Sequence, residues 1–353
     1  DGTLRAGDYS EPLKNYHLYA QWLADEQIRP LGKKSGKGAL YLDFPLGVHY
    51  EGYDVWRQRD VFALAASGGA PPDDFFTKGQ NWGFPPLHPE KLRNHGYQYY
   101  IECLRHQLAY AAQLRIDHVM GLHRLYWVPR GAEPAEGVYV RYPAAEFYAI
   151  LSLESHRHQT VIVGENLGTV PDSVQQEMKV HDIYGMNVGQ FCARANGNAA
   201  LEPISRLNVA SLNTHDTATF AGYWHGRDIE ERCSLGLLRA EDRIQEQEKR
   251  ARVRESLTSF LRSQGYLSQK TEDPALVLAA WLSYIADASA ASFLINLEDL
   301  WLEEKPQNVP GTWTERPNWR RKASLSLEQF SHMPQVLDVL KTIDKIRKAR
   351  NAT

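Results

Sequence analysis

Asp117 follows an apolar run, Gln113-Leu114-Arg115-Ile116, and is followed directly by His118. Arg115 lies two residues earlier, on the same face if the run is a strand. Glu165 closes a second apolar run, Thr160-Val161-Ile162-Val163-Gly164, and Asp216 follows a third stretch, Val209-Ala210-Ser211-Leu212-Asn213-Thr214-His215. Glycosyl transfer with retention needs two carboxyl groups flanking the bond, a nucleophile and an acid that later acts as base. The nucleophile must stay ionised, and Arg115 is placed to hold Asp117 so. The acid must be harder to ionise; Glu165, after an apolar strand and beside another carboxylate, meets that need. His118 and His215 can donate hydrogen bonds to sugar hydroxyls. Asp216 can bind two hydroxyls and favour a distorted ring.

Each residue alone has a plainer reading. A single Asp after a strand is more often a loop or helix-cap residue. Arg115 can simply brace a neighbouring carboxylate, Glu165 can cap a turn, and His118, His123 and His215 can be satisfied core histidines. The combination of three strand-end acids, two coupled to His and one to Arg, is far more specific. Other chemistries lack their signatures. There is no His-Glu-x-x-His or Cys-x-x-Cys metal motif, no Gly-x-x-x-x-Gly-Lys phosphate loop and no Gly-x-Ser-x-Gly elbow. Ser67-Gly68-Gly69 lacks the spacing of a dinucleotide fingerprint.

Such acids need parallel strands to carry them. The sequence predicts helices over residues 15–25, 89–113, 143–158, 170–180, 274–288 and 335–347, the second opened by Pro89. It predicts strands over 39–44, around 117, and over 160–164, 186–191, 209–212 and 291–295. Strand and helix mostly alternate, so the class is α/β with a parallel sheet. Residues 68–87, dense in Gly, Pro, Asp and Asn, read as a long loop of the kind that covers a site. Residues 227–264 read as helical and highly charged, a solvated outer face. No linker separates domains.

The 353 residues, 43% of them hydrophobic, suffice for a large core, and a net charge of −3 argues against a general nucleic-acid binder. No run of 18 apolar residues suggests a membrane span. Three scattered cysteines fit a reducing cytoplasm. The 9 Trp and 18 Tyr are mostly packing residues, though sugar clefts also use such rings as stacking platforms.

The chain resembles the 4-α-glucanotransferase, or amylomaltase, family of the α-amylase clan. Arg115-Ile116-Asp117-His118 resembles its nucleophile strand. Gly164-Glu165-Asn166-Leu167-Gly168 resembles its acid/base motif, with Asn166 where Asp is commoner. Thr214-His215-Asp216-Thr217-Ala218-Thr219 resembles its third-acid motif. Asp43-Phe44-Pro45-Leu46-Gly47-Val48 with Asp54-Val55-Trp56 resembles its third strand and following turn. Gly69-Ala70-Pro71-Pro72-Asp73 with Gly79-Gln80-Asn81-Trp82-Gly83-Phe84-Pro85 resembles its substrate-covering loop. Gln307-Asn308-Val309-Pro310-Gly311-Thr312 with Asn318-Trp319-Arg320-Arg321 resembles its C-terminal segment.

The resemblance implies a (β/α)8 barrel over residues 1–353, with an inserted helical subdomain at about 225–272. Asp117 would be the nucleophile, Glu165 the acid/base and Asp216 the transition-state stabiliser. Arg115, His118 and His215 would line the bond-breaking subsite; Gln80, Trp82, Asp54 and Asn308 would contact sugars. The substrates would be a maltooligosaccharide or α-1,4-glucan donor and a sugar acceptor, with no metal or organic cofactor. The family's first two barrel strands lie before the point where this chain begins, so the expectation is a C-terminal portion, either completed by another chain or a fragment of the working enzyme. A hydrolase of α-1,4-glucans and a non-catalytic glucan-binding module are the competing readings.

Overall fold

The computed structural model describes residues 7–32, 39–72, 78–312 and 314–351. The chain divides into two compact units, residues 1–185 and 186–353.

The first unit is built on a parallel sheet of three strands, β1 (Leu40–Phe44), β4 (Ala111–Ile116) and β7 (Val161–Gly164), in the order β1-β4-β7. Tyr184 adds one parallel bridge beyond Val163. A second, antiparallel sheet has the order β3-β2-β5-β6, with β2 at Ala66–Ala70, β3 at Gln80–Asn81, β5 at Arg124–Pro129 and β6 at Val138–Arg141.

Alternation along the parallel strands decides which residues meet. Leu42 and Phe44 of β1, Leu114 and Ile116 of β4, and Ile162 of β7 join one hydrophobic cluster. Leu104 and Leu108 of helix Gln98–Leu108, and Phe147, Tyr148 and Leu151 of helix Ala144–His158, pack into it. Each such fully buried side chain contributes about 1.5–3 kcal/mol relative to exposure. Successive side chains of a strand point to opposite faces. Asp43, Arg115, Asp117 and Glu165 therefore share the face away from this cluster.

Two expectations for this unit are corrected. Residues 89–113 are not one helix: Pro89–Asn94 and Gln98–Leu108 are separated by Gly96 and Tyr97, both at φ +59°. That left-handed backbone breaks the helical path, and the Tyr97 N–H closes the first helix on the Leu92 carbonyl at 2.9 Å. The second helix also stops short, because 111–116 belongs to β4. Residues 68–87 are not structureless either. Residues 73–77 lie outside the described residues, but β2 and β3 pair on either side, Gly69 opposite Asn81 and Ala70 opposite Gln80. Gly68 and Gly69 are strand positions of β2, whereas Gly79 and Gly83, both at φ +72°, are loop glycines as read. A Cβ on Gly68 would stand 2.3 Å from Phe84 Cζ, and one on Gly47 only 2.1 Å from Phe84 Cδ2. The missing side chains make room for the Phe84 ring, which fixes the stretch carrying Trp82.

Helix Glu11–Ile28 confirms the helix expected over 15–25, but it has no buried residue. It is tied down near its end by the Tyr110 hydroxyl, which donates to Asp25.

The second unit carries parallel strands in the order β10-β9-β8, with β8 at Gly185–Val188, β9 at Asn208–Ser211 and β10 at Ser292–Leu294. The strand expected over 186–191 ends at Val188, where a short helix Gly189–Cys192 begins. Helix Pro274–Asp287 starts with Asp273 capping the Ala275 N–H at 2.9 Å and Pro at its first position. It is apolar nearly all round and buries Val277, Leu278, Trp281, Leu282 and Ile285. Phe220, Trp224, Leu257, Leu261 and Ile343 of the terminal helix Pro334–Asn351 complete this core. The charged stretch 227–264 is two helices, Arg227–Ser234 and Arg243–Ser263. It is a solvated face only in part. Leu257, Phe260 and Leu261 are buried, and Arg250 makes a two-pronged pair with Asp228 at 2.9 Å while lying 3.6 Å over the Tyr223 ring. Among the described residues no helix is long and apolar enough to cross a membrane.

Candidate active site

The β1–β4 register places Asp43 opposite Arg115, and the β4–β7 register places Ile116 opposite Gly164. The ladder runs one residue past the strands: the Asp117 N–H donates to the Phe44 carbonyl at 3.1 Å, and the Glu165 N–H to the Ile116 carbonyl at 2.9 Å. These bonds hold Asp117 and Glu165 on neighbouring strand ends. Their positions are thus fixed by backbone pairing, not by flexible loops.

Arg115 ties two acids together. Its Nη1 lies 2.7 and 2.8 Å from the two Asp43 oxygens and 2.9 Å from Asp117 Oδ1. Burial of the guanidinium works against its charge, but Asp117 and then Asp43 outweigh this, so its pKa is raised. The result is a permanently cationic group that orients the Asp117 carboxylate.

Glu165 is differently placed. Its Oε1 accepts the Leu167 N–H at 2.9 Å and its Oε2 accepts the His118 N–H at 3.0 Å. Burial is the strongest influence and pushes its pKa up; Asp117 pushes the same way, while the two N–H groups and Arg115 pull down. The net direction is upward, as an acid catalyst requires. His118 sits at φ +47°, a left-handed conformation uncommon for a side chain with Cβ. This turn aims its N–H at Glu165. Burial lowers the imidazole's pKa and favours the neutral ring.

Trp82 closes this side. Its ring meets His118 edge-on at 5.3 Å, stacks on Phe84 at 6.2 Å, and its Nε1 donates to Gln80 Oε1 at 3.1 Å. Gln80, Trp82, His118, Arg115, Asp117 and Glu165 therefore form one connected group. Asp54 is joined to the framework instead, accepting from the Tyr99 hydroxyl at 3.2 Å. His123, half-buried with its Nε2 3.0 Å from the Tyr148 hydroxyl, is a hydrogen-bonded structural histidine, close to the plainer reading.

In the second unit Asp216 has its own setting. Asn308 Nδ2 donates to Asp216 Oδ1 at 2.7 Å, and His215 Nε2 lies 3.1 Å from Oδ2. Asn318 fastens the C-terminal segment that delivers Asn308: its Oδ1 accepts the Val309 N–H at 3.2 Å and its Nδ2 donates to Thr312 Oγ1 at 2.8 Å. Trp319 follows at φ +59°, its ring 5.8 Å from that of His215.

Sequence reasoning gave no role to Asp43 or Trp319. Asp43 carried a signal, being the one acid inside the apolar run 39–44. Asp43→Asn is expected to lower turnover roughly 10- to 100-fold, since an uncharged amide loses one of two charge-assisted bonds to Arg115. Steady-state kinetics with maltotriose checks this, and an unchanged kcat would remove Asp43 from the site.

A parallel α/β scaffold here carries an arginine-held carboxylate beside one whose ionisation burial disfavours, the pair of groups that retaining glycosyl transfer calls for. The chain belongs to the 4-alpha-glucanotransferase family, whose model matches residues 6–327. The 4-alpha-glucanotransferase of Haemophilus influenzae is 36% identical over 332 residues, covering 89% of this chain and 48% of the relative. That of Mycobacterium bovis is 34% identical over 316 residues, covering 87% of this chain and 44% of its own length. The chain thus spans about half the length of the curated relatives it matches. The crystal structure of amylomaltase from Corynebacterium glutamicum superposes with a TM-score of 0.84 at 28% identity, over 97% of this chain and 52% of that one.

Proposed function

We propose that the protein transfers α-1,4-glucan segments from a maltooligosaccharide donor to a sugar acceptor by a retaining double displacement. The observation that carries this reading is the pairing of an Arg115-bound Asp117 with a half-buried Glu165, its pKa raised, on the next strand end. Asp117 attacks the anomeric carbon while Glu165 gives its proton to the leaving oxygen. A glucosyl ester forms on Asp117, and the departing sugar diffuses away. Glu165, now a carboxylate, takes a proton from the acceptor hydroxyl, which displaces Asp117 with a second inversion. Asp216, braced by Asn308 and His215, holds ring hydroxyls of the distorted sugar. Gln80 and Trp82 contact sugars from above His118.

The fold we infer is a (β/α)8 barrel with a helical insertion at about 225–272. The alternation of parallel strands with helices supports it, as does the likeness to the Corynebacterium glutamicum amylomaltase. Free Cys103, Cys192 and Cys233 accord with a cytoplasmic setting.

Incubation with maltotriose tests the proposal. Glucose together with maltopentaose and longer sugars is the expected product set. Glucose and maltose alone would replace transfer by hydrolysis, and an unchanged substrate would reject the proposal for this chain.

A further inference from the structure

We propose that Asp299 is a positioning residue for glucan transfer, its buried carboxylate pinning both ends of segment 213–220 and thereby fixing Asp216 and His215. The inference rests on the role given to Asp216 above. Asp299 is 1% exposed and lies in the short helical turn Leu297–Trp301. Its Oδ2 accepts from Asn213 Nδ2 at 2.7 Å, and its Oδ1 accepts the Phe220 N–H at 2.7 Å. Asn213 is the second residue beyond β9, and Phe220 opens helix Phe220–His225. One carboxylate therefore staples the start of the acid-bearing segment to its end.

The segment between the staples is stiff in itself. Thr217 Oγ1 accepts the Thr214 N–H at 2.9 Å and donates to the Thr214 carbonyl at 3.1 Å, and the Asp216 N–H donates to Thr214 Oγ1 at 3.2 Å. The Thr219 side chain caps the helix at Gly222 N, 3.2 Å away. Such a unit moves as one body about its two anchors, so freeing either anchor displaces Asp216. Burial opposes the charge of Asp299 and raises its pKa to about 7, with the two donors pulling the other way and Glu298 adding repulsion. An acid kept in so costly a place is explained by needing two acceptor oxygens at once. A leucine fills the space but leaves both donors unpaired.

The test exploits that need. Asp299→Asn keeps one acceptor, so its amide N–H2 meets one of the two donors. The exchange Asp299→Asn with Asn213→Asp restores the count, because Asp at 213 accepts from Asn at 299, whose oxygen still takes the Phe220 N–H. For Asp299→Asn we expect kcat on maltotriose to fall about 10- to 100-fold with KM within about twofold, the scale of a small misplacement of a catalytic group. The exchange should recover most of the loss. In an Asp216→Asn background the same substitution should cost less than about twofold, since the two act through one group. A loss as large there as in the wild type would make Asp299 a stability residue only, and an unchanged kcat in the single variant would overturn the proposal outright.

Amide hydrogen exchange gives a readout independent of activity. Residues 214–220 should exchange about tenfold or more faster in Asp299→Asn, with β4 unchanged and protection regained in the exchange variant. If the wild type transfers no glucan, the reading of function fails, and unchanged exchange at 214–220 would then refute the staple separately. Should Asp299→Asn fail to fold, Asn213→Ala removes one anchor alone and must show the same kcat loss and faster exchange in reduced degree.

Discussion

Asp117→Asn is expected to lower turnover of maltotriose by on the order of 10⁴-fold or more, the scale of removing a covalent nucleophile. The amide has the size of the acid and still offers an oxygen to Arg115, which keeps Asp43 as its charged partner. The loss therefore falls on chemistry and not on the scaffold, and thermal melting should move by a few degrees at most. An amide oxygen at that place cannot form a glucosyl ester that an acceptor hydroxyl then displaces. Product chromatography over long times measures the residual rate, and mass spectrometry of peptides from enzyme trapped with a maltosyl fluoride donor locates the ester. A residual rate within tenfold of wild type, or a label on another residue, would sink the assignment.

The parts of this site that could be read in the sequence are those set by local rules. Alternation within 113–117 put Arg115 and Asp117 on one face, and the apolar run before Glu165 signalled a buried strand end; the sheet β1-β4-β7 bears out both positions. The role of Asp43 was not legible, because it depends on the β1–β4 register across 72 residues of chain. Trp319 was quoted only as part of a similar segment. Its place beside His215 follows from a left-handed residue and from the Asn318 anchor, neither of which has a periodicity to read. The helix drawn through Gly96 shows the reverse error: apolar spacing continued across a backbone break that only the +59° φ values reveal. The glycines of 66–70 misled for a packing reason, since the absent side chain of Gly68 makes way for Phe84 and that of Gly69 for the Gln80 carbonyl. The Asn213–Asp299 bond, joining residues 86 apart, shows again that what holds an acid-bearing segment can be far from it in sequence.

Glu165→Gln is expected to cost about 10²- to 10⁴-fold with maltotriose, the usual worth of general acid–base catalysis. The loss should depend on the leaving group. Maltosyl fluoride needs no proton to depart, so the variant should release fluoride in a burst approaching one equivalent per enzyme and then stall, because the acceptor hydroxyl has lost its base. The pH profile gives a second check. Burial raises the Glu165 pKa above the ordinary carboxylate value, so the wild-type rate should decline as pH rises through that raised value and the proton is lost. The sign for stability is the same: the folded state holds this proton more tightly than the unfolded chain, so the contribution is complete below the unfolded pKa and vanishes as pH climbs through the folded one. In the variant that alkaline limb should be absent. The glutamine also keeps only one acceptor for the Leu167 and His118 N–H groups, which costs roughly 1–3 kcal/mol of stability and should lower the melting temperature. Equal losses with maltotriose and with the fluoride, or an alkaline limb unchanged in the variant, would show that the proton comes from elsewhere. The His118 backbone strain would then have to be explained without an acid to serve.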